Sequence, residues 1–95
     1  MDQASIAALN RLLRIADHDT GQSKRVADFL LSWWNAATCG GWDPTDLWAV
    51  DIQISEDILV LLKGIEATQS YPDTLGYKAQ FDRLVREWRP HLIKE

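Results

Sequence analysis

The sequence predicts an all-α fold, a small bundle of four to five helices, on three observations. Apolar residues recur at three- and four-residue spacing, start and stop residues punctuate those runs, and no stretch alternates as a half-buried strand would. With 95 residues, 46% of them hydrophobic and 25% charged, the chain is expected to form one domain over residues 1–95 with a packed core.

The first helix is expected from Ala4 to about Asp17, with Ile6, Leu9, Leu13 and Ala16 on one face and Leu12 widening it. Asp17-His18-Asp19-Thr20-Gly21 stops it, because small polar side chains and a glycine compete with helical hydrogen bonding. Ser23 is a candidate cap for the second helix, whose apolar face is Val26, Phe29, Leu30, Trp33 and Ala37, flanked by Leu31 and Trp34. Gly40-Gly41 ends that helix. Asp43-Pro44-Thr45-Asp46 then reads as a start: a capping carboxylate, a proline whose missing N–H costs nothing at the first position, and an acid in the first turn.

From Pro44 the stripe Leu47, Val50, Ile54, Ile58, Leu61 or Leu62, and Ile65 runs to about Thr68. One long helix fits it, and so do two helices broken near Asp51 or Ser55, both acceptable caps. Tyr71-Pro72-Asp73-Thr74-Leu75-Gly76-Tyr77 is a turn, with Pro72 biasing Tyr71 away from helix. The last helix is expected from Lys78 to Arg89, burying Phe81, Leu84 and Trp88 until Pro90 interrupts it. Of the alternatives at residues 61 and 62, Leu62 is assigned to the core.

Composition excludes several functions. Met1-Asp2-Gln3 carries an acid where a secretion signal needs basic residues, and no apolar run is long enough to span a bilayer, so a cytoplasmic protein with no membrane association is expected. Cys39 stands alone and makes neither an internal disulfide nor a thiolate zinc site. It reads as a semi-buried filler rather than a nucleophile. His18 has no acid at helical metal-ligand spacing and His91 lies beyond Pro90 near the C-terminus, so both read as surface residues, and Gly40-Gly41 lacks the lysine of a phosphate loop. No catalytic set, metal or cofactor is expected. The net charge of −4 disfavours nucleic acid.

Charge and aromatic content are uneven along the chain. Asp43, Asp46, Asp51, Glu56 and Asp57 are the only ionisable side chains between 43 and 57, whereas Lys78, Arg83, Arg86, Arg89 and Lys94 lie toward the end. The acids lack the alternation of a calcium loop; capping explains part of the set, and the rest is either a solvated face or a patch for a protein partner. Trp33 and Trp88 fall on core faces. Trp34, Trp42 and Trp48 surround the glycine pair, where they either close the core or present aromatic anchors at an interface. The candidate partner-binding set is therefore Trp34, Trp42, Asp43, Asp46, Trp48, Asp51, Glu56 and Asp57.

Thr20-Gly21-Gln22-Ser23-Lys24-Arg25-Val26-Ala27, Leu30-Leu31-Ser32-Trp33-Trp34-Asn35-Ala36, Gly40-Gly41-Trp42-Asp43, Thr45-Asp46-Leu47-Trp48 and Tyr71-Pro72-Asp73-Thr74-Leu75-Gly76-Tyr77 together resemble an uncharacterised family of short proteobacterial proteins. The resemblance covers roughly residues 20 to 90 and leaves out the first helix. It implies a setting in plasmids and integrative mobile elements, and no functional residues. The expected function is a non-enzymatic protein-binding accessory or regulatory module of such an element, with an unidentified protein partner or a homodimer. Two alternatives are an inhibitor of a host defence or nucleic-acid enzyme acting through its acidic surface, and a weak DNA binder using Lys78, Arg83, Arg86 and Arg89.

Overall fold

A carboxylate opens the first helix: Asp2 Oδ1 accepts the Ser5 amide at 2.8 Å, satisfying one of the amides that have no partner within the helix. The structure, a computed structural model that describes residues 1–93, continues from there as α1 (Gln3–Ala16), α2 (Gly21–Cys39), α3 (Ile52–Thr68) and α4 (Lys78–Trp88). Short 3-10 turns fill Pro44–Ala49, Pro72–Leu75 and Pro90–Leu92, and the described residues contain no strand. The expected all-α bundle is what forms.

Two local expectations are corrected, and of the open alternatives near Asp51 the break before the third helix is the one that forms. The second helix is capped by Thr20, whose Oγ1 accepts the Ser23 amide at 3.0 Å; the Ser23 side chain is buried and shares a 2.8 Å hydrogen bond with the same hydroxyl. The segment opened by Asp43-Pro44 is a six-residue 3-10 turn instead of an α-helix. It stops because Val50 is extended (φ −123°, ψ 161°) and because the Asp51 amide is taken by Gln22 Oε1 of α2 at 2.6 Å. Asp51 is then the N-cap of α3, so the long stripe is two elements.

Within α2, Asn35 leaves the helical region (φ −161°, ψ 82°), and its side-chain oxygen accepts the Thr38 amide at 3.2 Å. That side-chain bond replaces part of the backbone ladder and bends the last turn. Gly40 (φ 97°) and Gly76 (φ 93°) carry the chain through left-handed turns after α2 and before α4. Gln69 does the same at the end of α3 with φ 53°, its amide bonded to Ile65 O at 2.9 Å.

α1 packs along both α3 and α2, and α4 docks on α2. One cluster joins Leu9, Leu12 and Ala16 of α1 with Val26, Phe29, Leu30 and Leu31 of α2, Ile54, Ile58 and Leu61 of α3, and Phe81 and Leu84 of α4. The inward face of α1 is rotated from the expected stripe. Ser5, Ala8, Leu9 and Leu12 are buried, Leu13 is partly covered, and Ile6 is exposed.

The cause is the approach of α3. A Cβ built on Gly64 would lie 2.6 Å from the Ser5 Cβ, so only small residues fit this crossing. On α3, Leu61 takes the fully buried position assigned to Leu62, which with Ile65, Leu47, Val50, Trp33 and Trp88 packs partly covered against the cluster.

The end of α4 is tied down by polar contacts. Trp88 Nε1 donates to Ala16 O at 2.9 Å. Arg89 donates from Nη2 to Asp28 Oδ1 at 2.7 Å and from Nε to Cys39 O at 2.8 Å, placing a cation at the carboxyl end of α2 where the helix dipole favours it.

Candidate functional site

The chain leaves α2 at Gly40 and returns to helix at Ile52, and between them lie most of the acidic and aromatic candidates. Trp42 is half-buried with its ring edge-on to Phe29 (centroids 4.9 Å apart, planes at 62°). Its Nε1 is buried without a hydrogen-bond partner among the described residues. Asp43 caps the 3-10 turn, with Oδ1 accepting both the Thr45 amide and the Thr45 hydroxyl at 2.9 Å. The amide bond first and the hydroxyl second hold this carboxyl below its ordinary pKa.

The remaining acids divide into engaged and open. Asp46 sits 3.5 Å from Arg25, and Asp57 takes Arg11 in a two-point pair at 2.9 and 2.8 Å. The Asp57 hydrogen bond, followed by its charge, raises the Arg11 pKa. Asp51 accepts only the Gln22 side-chain amide at 3.3 Å, and Glu56 is exposed. Asp43, Asp51 and Glu56 have no ion-pair partner among the described residues. The five acids thus do not form one continuous anionic face.

The tryptophans also separate. Trp34 turns to α4, edge-on to Phe81 at 5.7 Å, and is not part of the glycine turn's surface. Trp33 flanks the same ring at 5.9 Å and donates its Nε1 to Ser70 O at 3.1 Å. Trp48, in the 3-10 turn, is 84% exposed, an outlier for the largest apolar side chain. Ile52, Leu59 and Val60 on the outer side of α3 are exposed as well. Sequence reasoning passed over them, although one signal was available: Ile58 to Leu62 are five consecutive apolar residues, and a helix cannot turn all five inward.

No group of three or more His, Cys, Asp or Glu among the described residues could hold a metal ion. His18 is exposed and borders a groove of about 380 Å³ with Arg11, Arg14, Ile15, Gln53, Ile54 and Asp57. Cys39 is buried; burial pushes its thiol pKa up, opposed in part by the Arg89 charge, so the reactive thiolate is disfavoured.

The basic side chains near the end are largely engaged. Lys78 pairs with Asp82 at 2.8 Å, Arg83 with Asp17 at 3.7 Å and Arg89 with Asp28, leaving Arg86 without a pair among the described residues. Lys94 lies outside the described residues. No helix among them is long and apolar enough to cross a membrane.

A model of a family of unknown function, DUF7673, matches residues 6–89. The match takes in most of α1, which the resemblance read from short sequence words left out. No curated protein and no solved structure matches the chain.

Proposed function

The chain belongs to this family of unknown function, and we propose that it is a non-enzymatic protein-binding module, an accessory or regulatory factor of a bacterial mobile element, that works in the cytoplasm. The observation that carries the reading is Trp48, 84% exposed on a short turn braced at both ends. Asp43 fixes the start of that turn through Thr45, and Gln22 fixes its exit through Asp51. A rigid indole loses little entropy on docking, and tryptophan is the residue type most enriched among binding hot spots.

The partner's chemistry follows from the surroundings. Asp43 and Asp51, which flank the Trp48 turn, have no ion-pair partner among the described residues, and no basic side chain occurs between 43 and 57. The complementary surface is a protein with an apolar pocket for the indole and a basic rim. The inhibitory reading through a broad acidic face has less support, because Asp46 and Asp57 are engaged by arginines. DNA binding loses Arg89 to an internal contact.

Copurification with tagged chain from its own host tests the reading. A specific protein is expected to copurify with the wild type, and purified Trp48→Ala should bind it about 30-fold or more weakly, the loss of a hot spot worth about 2 kcal/mol. Thermal melting should be unchanged, since the ring makes little contact. Retention of the partner by Trp48→Ala, or its absence from the wild type, sinks the proposal.

A further inference from the structure

The outer face of α3 exposes large apolar side chains among its charged ones. Ile52 is 70% exposed, Leu59 53% and Val60 39%. At about 100° per residue, Ile52, Glu56, Leu59 and Lys63 fall within about 60° of arc, with Val60 and Ala67 at its edge. The face is a narrow stripe in which apolar and charged positions alternate along the helix. It runs opposite the buried set Ile54, Ile58 and Leu61.

The order of the stripe is self-complementary when read backwards. In an antiparallel pair whose two-fold axis passes between Leu59 and Val60, Leu59 of one copy meets Val60 of the other. Glu56 then meets Lys63, and Ile52 meets Ala67. Both charges on the stripe face an opposite charge, and every apolar side chain faces another. A two-fold interface requires this property, since the same patch must serve both subunits.

Two structural details favour it. Glu56 has no ion-pair partner among the described residues, and the Lys63–Glu66 pair is 80% and 71% exposed, so redirecting Lys63 sacrifices little. Val60, Lys63 and Ala67 also line a groove of about 620 Å³ against Met1, Asp2 and Ala4, which leaves room beside α3 for an incoming side chain.

We infer that α3 is the self-association surface of the protein, pairing antiparallel with α3 of a second copy through Leu59 and Val60 and through reciprocal Glu56–Lys63 contacts. The paired length from Ile52 to Ala67 is about 22 Å at 1.5 Å per residue. One helix pair of that length buries less than the roughly 1,200 Å² of stable interfaces, so the dimer is a weak one. This surface is distinct from Trp48, and each assignment stands without the other.

Sedimentation of the purified full chain from about 10 μM to about 1 mM, the range in which weak interfaces populate, tests it. The mass should rise toward that of a dimer. Glu56→Lys and Lys63→Glu should each raise the dissociation constant about tenfold, because each sets like charges against one another twice. The double variant should regain wild-type association, and Leu59→Lys should abolish it with the helical circular dichroism intact. A wild type that stays monomeric at about 1 mM, or a double variant no better than the singles, overturns the inference. Trp48→Ala is expected to leave the dimer untouched, so loss of the host partner and loss of self-association are read separately.

Discussion

Trp33 and Trp48 are chemically identical and meet opposite environments. Around Trp33 the molecule is closed: its N–H reaches Ser70 O, its ring and that of Trp34 stand edge-on to the buried Phe81, and Trp88 is bonded to Ala16. Around Trp48 the backbone is held by Asp43 and Gln22 while the indole faces solvent. The difference teaches that aromatic content here serves two purposes. One set holds α4 to α2, and a single ring is presented on a braced turn. Trp42 is intermediate, its ring packed on Phe29 and its N–H without a partner among the described residues.

The largest expected effect comes from breaking the closed side. Phe81→Ala removes the ring against which both Trp33 and Trp34 stand, and should cost about 3 to 5 kcal/mol in chemical denaturation. Arg89→Ala should cost about 2 kcal/mol, because it leaves the mostly buried Asp28 carboxylate without that guanidinium and uncaps Cys39 O. The two half-buried indoles sharpen the contrast. Trp33→Phe forfeits a hydrogen bond and should lose about 1 kcal/mol beyond its change in packing, whereas Trp42→Phe has no such bond to lose. Equal hydrogen-bond losses in the two variants would mean that the Trp42 N–H is satisfied in solution.

The smallest effect is electrostatic and separates the two capping carboxylates from the rest. The Ser5 side chain, then its amide, hold Asp2 below the ordinary carboxylate pKa, and Thr45 does the same for Asp43. A depressed folded pKa contributes stability above the ordinary value near about 4, and that stability is lost as pH falls through the lowered value. Asp2→Asn keeps a capping oxygen but cannot titrate. Its melting temperature should fall less steeply than that of the wild type between about pH 5 and pH 2.

What the sequence made legible was governed by local chemistry. Proline and glycine marked the limits of α4, and its apolar spacing named Phe81 and Leu84, because these signals act within a few residues of themselves. The break before α3 was harder. Asp51 was one of two acceptable caps, and the choice was made by Gln22, a side chain from another helix that no local pattern announces.

Ile6 was misplaced for a different reason. Periodicity ranks residues by hydrophobicity, whereas the α1–α3 crossing selects by size, and Ser5 and Ala8 fit where isoleucine does not. At the candidate site, the sequence supplied the residues but not their pairings. Arg11 and Arg25 come from distant helices to engage Asp57 and Asp46, so an acidic run in the sequence became a divided surface.

The contact between Ser5 and Gly64 also constrains how this sequence can drift. A side chain at position 64 has no room while serine occupies position 5, whereas glycine at position 5 would relieve the nearest clash. Substitutions at the two positions are therefore ordered in time: the change on α1 has to come first. A lineage that acquired alanine at position 64 before losing the serine would pass through a chain whose first and third helices have to shift apart at this crossing.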